Sequence, residues 1–205
     1  MLHVTQSGAS VPDAVLRAMF AARKAVFVDL LKWDVPVLAG RFEVDQFDDV
    51  HARYLVLADD AGAHLGSARL LPTLRPHILD SLYPELCESD PPRRHDIYEI
   101  TRFCLDRSLN ARDRRAVRDT LVIALADYAI AHHIKGYTAI AEMGWLQQIL
   151  SFGWRCRPLG LPLPFDGKLL GALQIAIEPD TPERLARAGI RPLADLIDGN
   201  ARAAA

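Results

Sequence analysis

The feature that most constrains the fold is a strand, a long helix and a second strand that follow one another in the middle of the chain. Residues 97–105 alternate between two faces with a period of two, which predicts a strand. Residues 113–134 place apolar side chains at helical spacing, and residues 137–141 form a short apolar run typical of a buried strand. Strands and helices that alternate in this way are typical of α/β proteins.

Elements on both sides extend this pattern. Before the central segment, we predict a helix over residues 13–27 that continues into an irregular lid, so that helix and lid occupy residues 13–45, and a hairpin over 53–71. We also predict short helices over 78–83 and 145–152 and a strand over 169–178. We therefore expect an α/β fold with three layers, α-β-α, around a mixed sheet. We also expect a single domain over residues 1–205, with a frayed tail at residues 200–205.

Composition and charge exclude several classes of protein. Of the 205 residues, 50% are hydrophobic and 24% are charged, and the net charge is −2, so disorder is excluded and nucleic-acid binding is not expected. No run of 18 apolar residues is present, so we expect no membrane span. The cysteines lack metal-ligand spacing and no signal peptide is recognisable. We therefore expect reduced thiols, no metal site and a cytoplasmic protein.

The densest polar segment is residues 41–49, where acids are interleaved with apolar residues. Its four acids are Glu43, Asp45, Asp48 and Asp49. One interpretation is a solvated acidic turn. The other is the wall of a pocket for a cationic substrate, because carboxylates stabilise a nearby positive charge.

Two opposite charges lie inside the predicted strand over residues 97–105. Glu99 and Arg102 are three positions apart, so they point to opposite faces and should not pair with each other. Each needs its own partner, because a half-buried charge is costly unless it is paired. Structural pairing with Arg69 or Asp48 is one interpretation. The other is that Glu99 is a general base in a partly dry cleft.

Four arginines lie at the start of the long helix: Arg112, Arg114, Arg115 and Arg118. Cations at a helix N-terminus oppose the helix dipole, so they are easier to understand if an anion such as phosphate binds there. A solvated basic turn balanced by Asp113 and Asp119 explains them equally well.

Taken together, these residues resemble the acyl-homoserine-lactone synthases, a bacterial family that makes quorum-sensing signals. The matching segments are Arg23-x-x-x-Phe27 with Trp33, Glu43-x-Asp45-x-x-Asp48, Tyr54-Leu55, Gly66-Ser-Ala-Arg69-Leu-Leu-Pro-Thr73 and Glu99-Ile-Thr-Arg102-Phe103. The resemblance covers residues 17–105 and continues more weakly through Gly153-Trp154 and residues 158–162.

The resemblance implies a fold related to the GCN5-type N-acetyltransferases. It also implies a reaction in which the amine of S-adenosylmethionine attacks an acyl thioester, from acyl-CoA or an acyl-carrier protein, and a lactone closes as methylthioadenosine leaves. S-adenosylmethionine is then a substrate, and no cofactor is expected. The alternative is another N-acyltransferase of this fold that uses acyl-CoA and a different amine. The absence of an R/Q-x-x-G-x-G/A loop after residues 97–105 argues against it.

The resemblance also implies roles for single residues. The implied catalytic set is Asp45 and Asp48 as counter-charges, Arg69 as their partner, Arg102 as an organiser of the acids and Glu99 as the base, acting through a water. The implied substrate-binding residues are Arg23, Phe27, Trp33, Thr101, Phe103, Glu142 and Trp145.

The acyl donor is less sharply indicated. At the positions of Glu142 and Trp145 the sequence resembles the branch of the family that takes acyl-CoA donors with short, branched or aromatic acyl groups. Trp145 either shortens an acyl pocket or is a core tryptophan. The arginines at the start of the long helix fit a CoA phosphate and an acidic carrier protein equally well.

Overall fold

The computed structural model describes residues 1–4 and 13–192. The strands are β1 Leu2–Val4, β2 Val37–Leu38, β3 Phe42–Glu43, β4 Arg53–Ala58, β5 His64–Pro72, β6 Ile97–Leu105, β7 Gly136–Glu142, β8 Arg155–Pro158, β9 Leu163–Phe165 and β10 Lys168–Ala176. The helices are α1 Asp13–Arg23, α2 Ile78–Leu82, α3 Ala111–Ala131, α4 Met143–Ser151 and α5 Thr181–Arg187, with a π-helix at Lys24–Leu30 and a 3-10 helix at Pro84–Leu86.

The main sheet has eight strands and is mixed. Its strand order is β1-β4-β5-β6-β7-β10-β8, and β9 pairs with β10. Strands β6 and β7 are parallel, as expected for strands joined through α3, whereas β10 is antiparallel to β7, β8 and β9. Strands β2 and β3 form a separate two-stranded sheet. The prediction of an α/β fold with a mixed sheet is therefore confirmed.

Contacts between residues divide the chain into two compact units. Among the described residues, the first unit comprises 1–4, 13–69, 102–124 and 191–192, and the second comprises Leu70–Thr101 and Leu125–Ile190. The predicted tail at residues 200–205 lies outside the described residues. No helix within the described ranges is long and apolar enough to cross a membrane.

In the first unit, α1 packs against β3 and β4. The buried side chains of α1 are Val15, Met19 and Arg23, at the spacing of one helical face. The helix predicted over residues 13–27 is correct in type up to Arg23, where a π-helix begins. π-Turns of this kind occur often at functional sites. Here the wider turn places Phe27, whose ring stacks on Trp33.

The predicted hairpin over residues 53–71 is confirmed by β4 and β5. Its turn is stabilised by Asp59, whose Oδ1 accepts hydrogen bonds from the amides of Ala61 and Ala63. Because β5 is buried on both faces over most of its length, it can carry Arg69 into the interior, where that side chain is 0% exposed.

Strand β6 occupies the predicted residues, but the prediction of strict alternation is wrong at Arg102. Its φ of +49° lies in the left-handed region, which is rare for a non-glycine residue. The period-two pattern is therefore interrupted at this residue. A left-handed residue cannot be seen in a pattern of apolar and polar side chains.

In the second unit, the predicted elements over residues 78–83, 137–141, 145–152 and 169–178 correspond to α2, β7, α4 and β10. Strands β8 and β9 and helix α5 were not predicted. Strand β8 lies at the edge of the main sheet and exposes Arg155 and Arg157, so it lacks the apolar alternation by which strands are recognised. Buried Leu79, Leu86 and Ala172 form a core cluster.

Candidate active site

Six charged side chains lie together in the first unit, three arginines and three carboxylates. They are Arg23, Glu43, Asp45, Asp48, Arg69 and Arg102, and we call them the arginine–carboxylate network. None of these side chains is more than 9% exposed. They come from α1, β3, the turn after β3, β5 and β6, so the fold itself assembles the network.

Arg23, at the end of α1, joins two of the acids. Its Nε donates to Glu43 Oε2 at 2.5 Å, and its Nη1 and Nη2 donate to the two Asp48 oxygens at 2.8 Å each. The second interaction is bidentate, which is the strongest geometry for an arginine and a carboxylate. Arg23 therefore acts as a buried link between β3 and the turn that follows it.

Arg69 makes a second bidentate pair, with Asp45, at 2.6 and 2.9 Å. Its Nη1 also lies 2.8 Å from Asp48 Oδ1. The predicted pairing of Arg69 with Asp45 or Asp48 is confirmed for both acids.

Arg102 closes the network from β6. Its Nε and Nη2 donate to Glu43 Oε1 at 3.0 and 2.9 Å, and Nη2 also donates to Asp45 Oδ2 at 2.7 Å. The partners of Arg102 in the network are thus Glu43 and Asp45. Asp48, the partner that the sequence suggested, is bound by the other two arginines.

Pairing holds Asp48 and Arg23 in their ionised forms. Burial by itself would raise the pKa of Asp48, but the hydrogen bonds and charge of Arg23, with the charge of Arg69, hold that pKa well below its ordinary value. Burial would lower the pKa of Arg23, but its pairing with Asp48 and Glu43 raises it instead. Because the network contains three arginines and three carboxylates, its formal charge is zero.

The interpretation of residues 41–49 as a solvated acidic turn is wrong for three of the four acids. Glu43, Asp45 and Asp48 are buried by arginines that are distant in sequence. Only Asp49 is an exposed turn residue, and its Oδ1 accepts hydrogen bonds from the amides of His51 and Ala52.

Two aromatic rings lie against the most exposed part of the network. Phe27 and Trp33 stack with ring centroids 4.7 Å apart and an interplanar angle of 19°. The Arg102 guanidinium carbon lies 5.6 Å from the Phe27 centroid and 5.8 Å from the Trp33 centroid. Asp45 and Arg102 are 9% exposed, against 0–1% for the other four charges. We call Asp45, Arg102, Phe27 and Trp33 the rim.

Glu99 lies in the second unit and is 0% exposed. Its Oε2 accepts a hydrogen bond from the Ile78 amide at 2.8 Å, and its Oε1 accepts one from the Leu79 amide at 3.0 Å. Both amides belong to the first turn of α2, where backbone donors have no partner within the helix. Sequence reasoning missed this interaction because a backbone amide has no residue signature.

The remaining predicted substrate-binding residues lie outside the network. Thr101 is buried and Phe103 is half-buried. Glu142 accepts a hydrogen bond from Lys168 Nζ at 2.6 Å. Trp145 is half-buried and meets Phe152 edge-to-face at 6.0 Å.

The four arginines at the start of α3 separate into two groups. Arg118 donates to Asp119, one of the two acids predicted to balance this turn, whereas Arg114 donates to the backbone carbonyl of Asp106. Arg112 and Arg115 are exposed. Asn110 Oδ1 accepts a hydrogen bond from the Asp113 amide at 3.0 Å, so part of the helix end is capped by the chain itself.

Tyr54 was noticed in the sequence only as part of a motif, yet its hydroxyl donates to Asp48 Oδ1 at 2.8 Å. Burial first, and then the charge of Asp48, raise the pKa of Tyr54 above its ordinary value, so the phenol stays protonated and remains a donor. A tyrosine two positions into a predicted strand gives no indication of such a partner.

We predict that Arg23→Met lowers the free energy of unfolding by about 3–5 kcal/mol, because Glu43 keeps only Arg102 and Asp48 only Arg69, and the buried network is left with one uncompensated negative charge. Chemical denaturation with circular dichroism measures this change. Arg17→Met, in the same helix, is the matched control, since its pair with Asp13 is long (3.9 Å) and exposed. That variant should stay within about 0.5 kcal/mol of the parent protein. Equal effects of the two substitutions would contradict the importance assigned to the network.

Comparison with known sequences identifies the family of the chain. The sequence model of the autoinducer synthases matches residues 9–185. An acyl-homoserine-lactone synthase from Ralstonia nicotianae is 34% identical over 182 residues, which are 85% of this chain and 88% of the relative.

Solved structures agree with this similarity. A CoA-dependent acyl-homoserine lactone synthase, MesI, has a TM-score of 0.83 and 28% identity, with 94% of this chain and 97% of that chain covered. A second CoA-dependent synthase, BjaI, solved with S-adenosylmethionine and isopentyl-CoA, has a TM-score of 0.82 and 27% identity, with 98% of both chains covered. An acyl-CoA N-acyltransferase from Pseudomonas aeruginosa, at 18% identity and a TM-score of 0.60, shares the fold over 86% of this chain and 100% of its own. The chain therefore belongs to the autoinducer synthase family, and it is an acyl-homoserine-lactone synthase, an acyltransferase.

Proposed function

We propose that the rim binds S-adenosylmethionine and that the enzyme transfers to it the acyl group of an acyl-CoA. The single observation that supports this most is the rim itself, where one carboxylate, one guanidinium and two aromatic rings lie together on a neutral, buried network. S-adenosylmethionine presents the complementary groups: an ammonium, a carboxylate, a sulfonium and an adenine ring. The BjaI structure with S-adenosylmethionine supports the assignment by family membership.

The neutrality of the network changes the mode of recognition expected from the sequence. The acids do not offer an uncompensated negative wall, because the arginines already pair with them. Instead, Asp45 and Arg102 form a dipolar pair in which Asp45 accepts hydrogen bonds from the ammonium and Arg102 binds the carboxylate. The faces of Phe27 and Trp33 cover the adenosyl group and stabilise the sulfonium by a cation–π interaction. Arg23, Asp48 and Arg69 position this pair.

The chemistry then proceeds in two displacements. The ammonium loses a proton to a base, and the free amine attacks the thioester carbonyl, so that a C–N bond forms and the thiol of CoA leaves. The methionine carboxylate next attacks its own γ-carbon. A C–O bond forms, the bond between carbon and the sulfonium breaks, and methylthioadenosine leaves with the electron pair. No oxidant or reductant is needed.

Glu99 is the proposed base, acting through a water. Its two oxygens accept hydrogen bonds from the Ile78 and Leu79 amides, which fix the carboxylate in one orientation. Both oxygens thus act as hydrogen-bond acceptors in a fixed position. The role is therefore that of an oriented acceptor at the end of a proton-transfer chain.

Acyl-CoA is the proposed donor, in preference to an acyl-carrier protein. MesI and BjaI, which cover nearly the whole chain, are both CoA-dependent enzymes. The exposed Arg112 and Arg115 are available for a CoA phosphate. Glu142 and Trp145 are the proposed contacts for the acyl end. With these substrates and three free thiols, the cytoplasm is the proposed location.

We predict that the enzyme converts S-adenosylmethionine and acyl-CoA into an acyl-homoserine lactone and methylthioadenosine, both detectable by mass spectrometry. We further predict that Asp45→Asn raises the dissociation constant for S-adenosylmethionine by about ten- to a hundredfold in titration calorimetry, because the negative charge that faces the substrate ammonium is lost.

Asp49→Asn is the matched control for this measurement, because Asp49 lies in the same acidic segment but is exposed. It should leave the dissociation constant unchanged. An acylated product without a lactone would contradict the proposed reaction. An acyl-carrier thioester that reacts while every acyl-CoA fails would contradict only the proposed donor.

For the base, we predict that Glu99→Gln lowers kcat by about a hundredfold or more and removes the acid-side limb of the pH dependence of kcat. A residue that only caps α2 would change the melting temperature and leave the shape of that profile intact. Glu178→Gln is the control, because that carboxylate is 43% exposed and pairs with Arg155. A Glu99→Gln enzyme that retains the acid-side limb would rule out the proposed role.

A further inference from the structure

We infer that Tyr54 is a positioning residue for S-adenosylmethionine, acting through Asp48 on the Asp45 carboxylate of the rim. This inference rests on the proposed function, in which Asp45 binds the substrate ammonium. Tyr54 itself has no role in the chemistry. Its hydroxyl fixes the acid that in turn fixes Asp45.

The first step is the contact between Tyr54 and Asp48. The Tyr54 hydroxyl donates to Asp48 Oδ1 at 2.8 Å, beside Nη1 of Arg23 at 2.8 Å and Nη1 of Arg69 at 2.8 Å. Tyr54 is thus the only neutral side-chain donor among the described contacts of this oxygen. Two cations on one oxygen repel each other, and a neutral donor completes its coordination without adding charge.

The second step leads from Asp48 to Asp45. Asp48 Oδ2 accepts a hydrogen bond from the Asp45 amide at 2.8 Å, and the Asp48 amide donates to the Asp45 carbonyl at 3.0 Å. Nη1 of Arg69 also lies between the two acids, 2.6 Å from Asp45 Oδ1 and 2.8 Å from Asp48 Oδ1. Asp48 therefore sets both the backbone of Asp45 and the cation that pairs with its side chain.

The third step is the rigidity of the Tyr54 ring. Tyr54 is 8% exposed, and its ring meets Phe20 edge-to-face at 5.8 Å with an interplanar angle of 75°. The Arg23 guanidinium carbon lies 5.0 Å from the Phe20 centroid, so Phe20 packs between two members of the arrangement. The phenol is held by packing as well as by its hydrogen bond.

Loss of the Tyr54 hydroxyl should weaken the binding of S-adenosylmethionine but not that of acyl-CoA. Without the hydroxyl, Asp48 keeps its ion pairs and the hydrogen bond from the Asp45 amide but loses one of the three donors that hold Oδ1, and we expect Asp45 to shift with it. Small displacements of a binding group weaken binding strongly. The effect should fall on S-adenosylmethionine, because the hydrogen bond of Tyr54 leads through Asp48 to Asp45, which is proposed to bind that substrate.

The test compares Tyr54→Phe with Tyr137→Phe. Tyr137 is also buried, and its hydroxyl donates to the Leu125 carbonyl at 2.9 Å, away from the network. Both variants lose one buried tyrosine hydroxyl and keep the ring. We expect Tyr54→Phe to raise the KM and the dissociation constant for S-adenosylmethionine about tenfold, with the KM for acyl-CoA changed less than twofold. We expect Tyr137→Phe to change none of these constants by more than twofold, although its melting temperature falls similarly.

Four results would overturn the inference, and they can be told apart. If the parent enzyme forms no lactone from S-adenosylmethionine, the proposed function fails and the inference fails with it. If the parent enzyme is active and Tyr54→Phe binds S-adenosylmethionine as well as the parent does, the inference alone fails. Equal losses for both substrates, or equal losses in the two variants, would show a structural role and would also overturn it.

Discussion

The burial of three arginines with three carboxylates is the constraint on which the rest of the structure depends. A buried ion without a partner costs several kcal/mol, so each of these side chains requires the others to be in place. The participants come from α1, β3, the turn after it, β5 and β6. Any arrangement of the chain that separates these elements leaves unpaired charges in the interior. The first unit can therefore pair all of its buried charges only in the fold that also forms the rim.

The same balance of charge determines what the rim can recognise. A cluster with an excess of acid would attract any cation. Under the proposed function, a neutral cluster whose rim places the Asp45 carboxylate next to the Arg102 guanidinium selects a zwitterion. The substrate amine and carboxylate must also be held in a fixed relation, since one attacks the thioester and the other closes the lactone. In this account Tyr54 and Asp48 keep the carboxylate of Asp45 in register with Arg102.

The sequence predicted those parts of the molecule that depend on neighbours along the chain. Periodicity placed β4, β5, β6, α3 and β7 within a few residues, and the order of motifs identified the family. The sequence failed where a partner is remote or has no side-chain signature. The acids at 43, 45 and 48 could be either a solvated turn or the wall of a pocket, because the arginines that bury them lie elsewhere in the chain. The left-handed Arg102 leaves no mark on a period-two pattern, and the partners of Glu99 are backbone amides. These failures fall on the residues that form the candidate site.

The central claim is that Asp45 and Arg102 bind the amino-acid part of S-adenosylmethionine while the network beneath them stays closed. A crystal structure of the complex with S-adenosylmethionine tests it most directly. We predict that the ammonium lies about 3 Å from the Asp45 carboxylate and that the substrate carboxylate contacts Arg102, with the pairs of Arg23 and Arg69 unchanged. A ligand whose amino-acid part lies away from both residues, or a network that opens to receive it, would contradict the account.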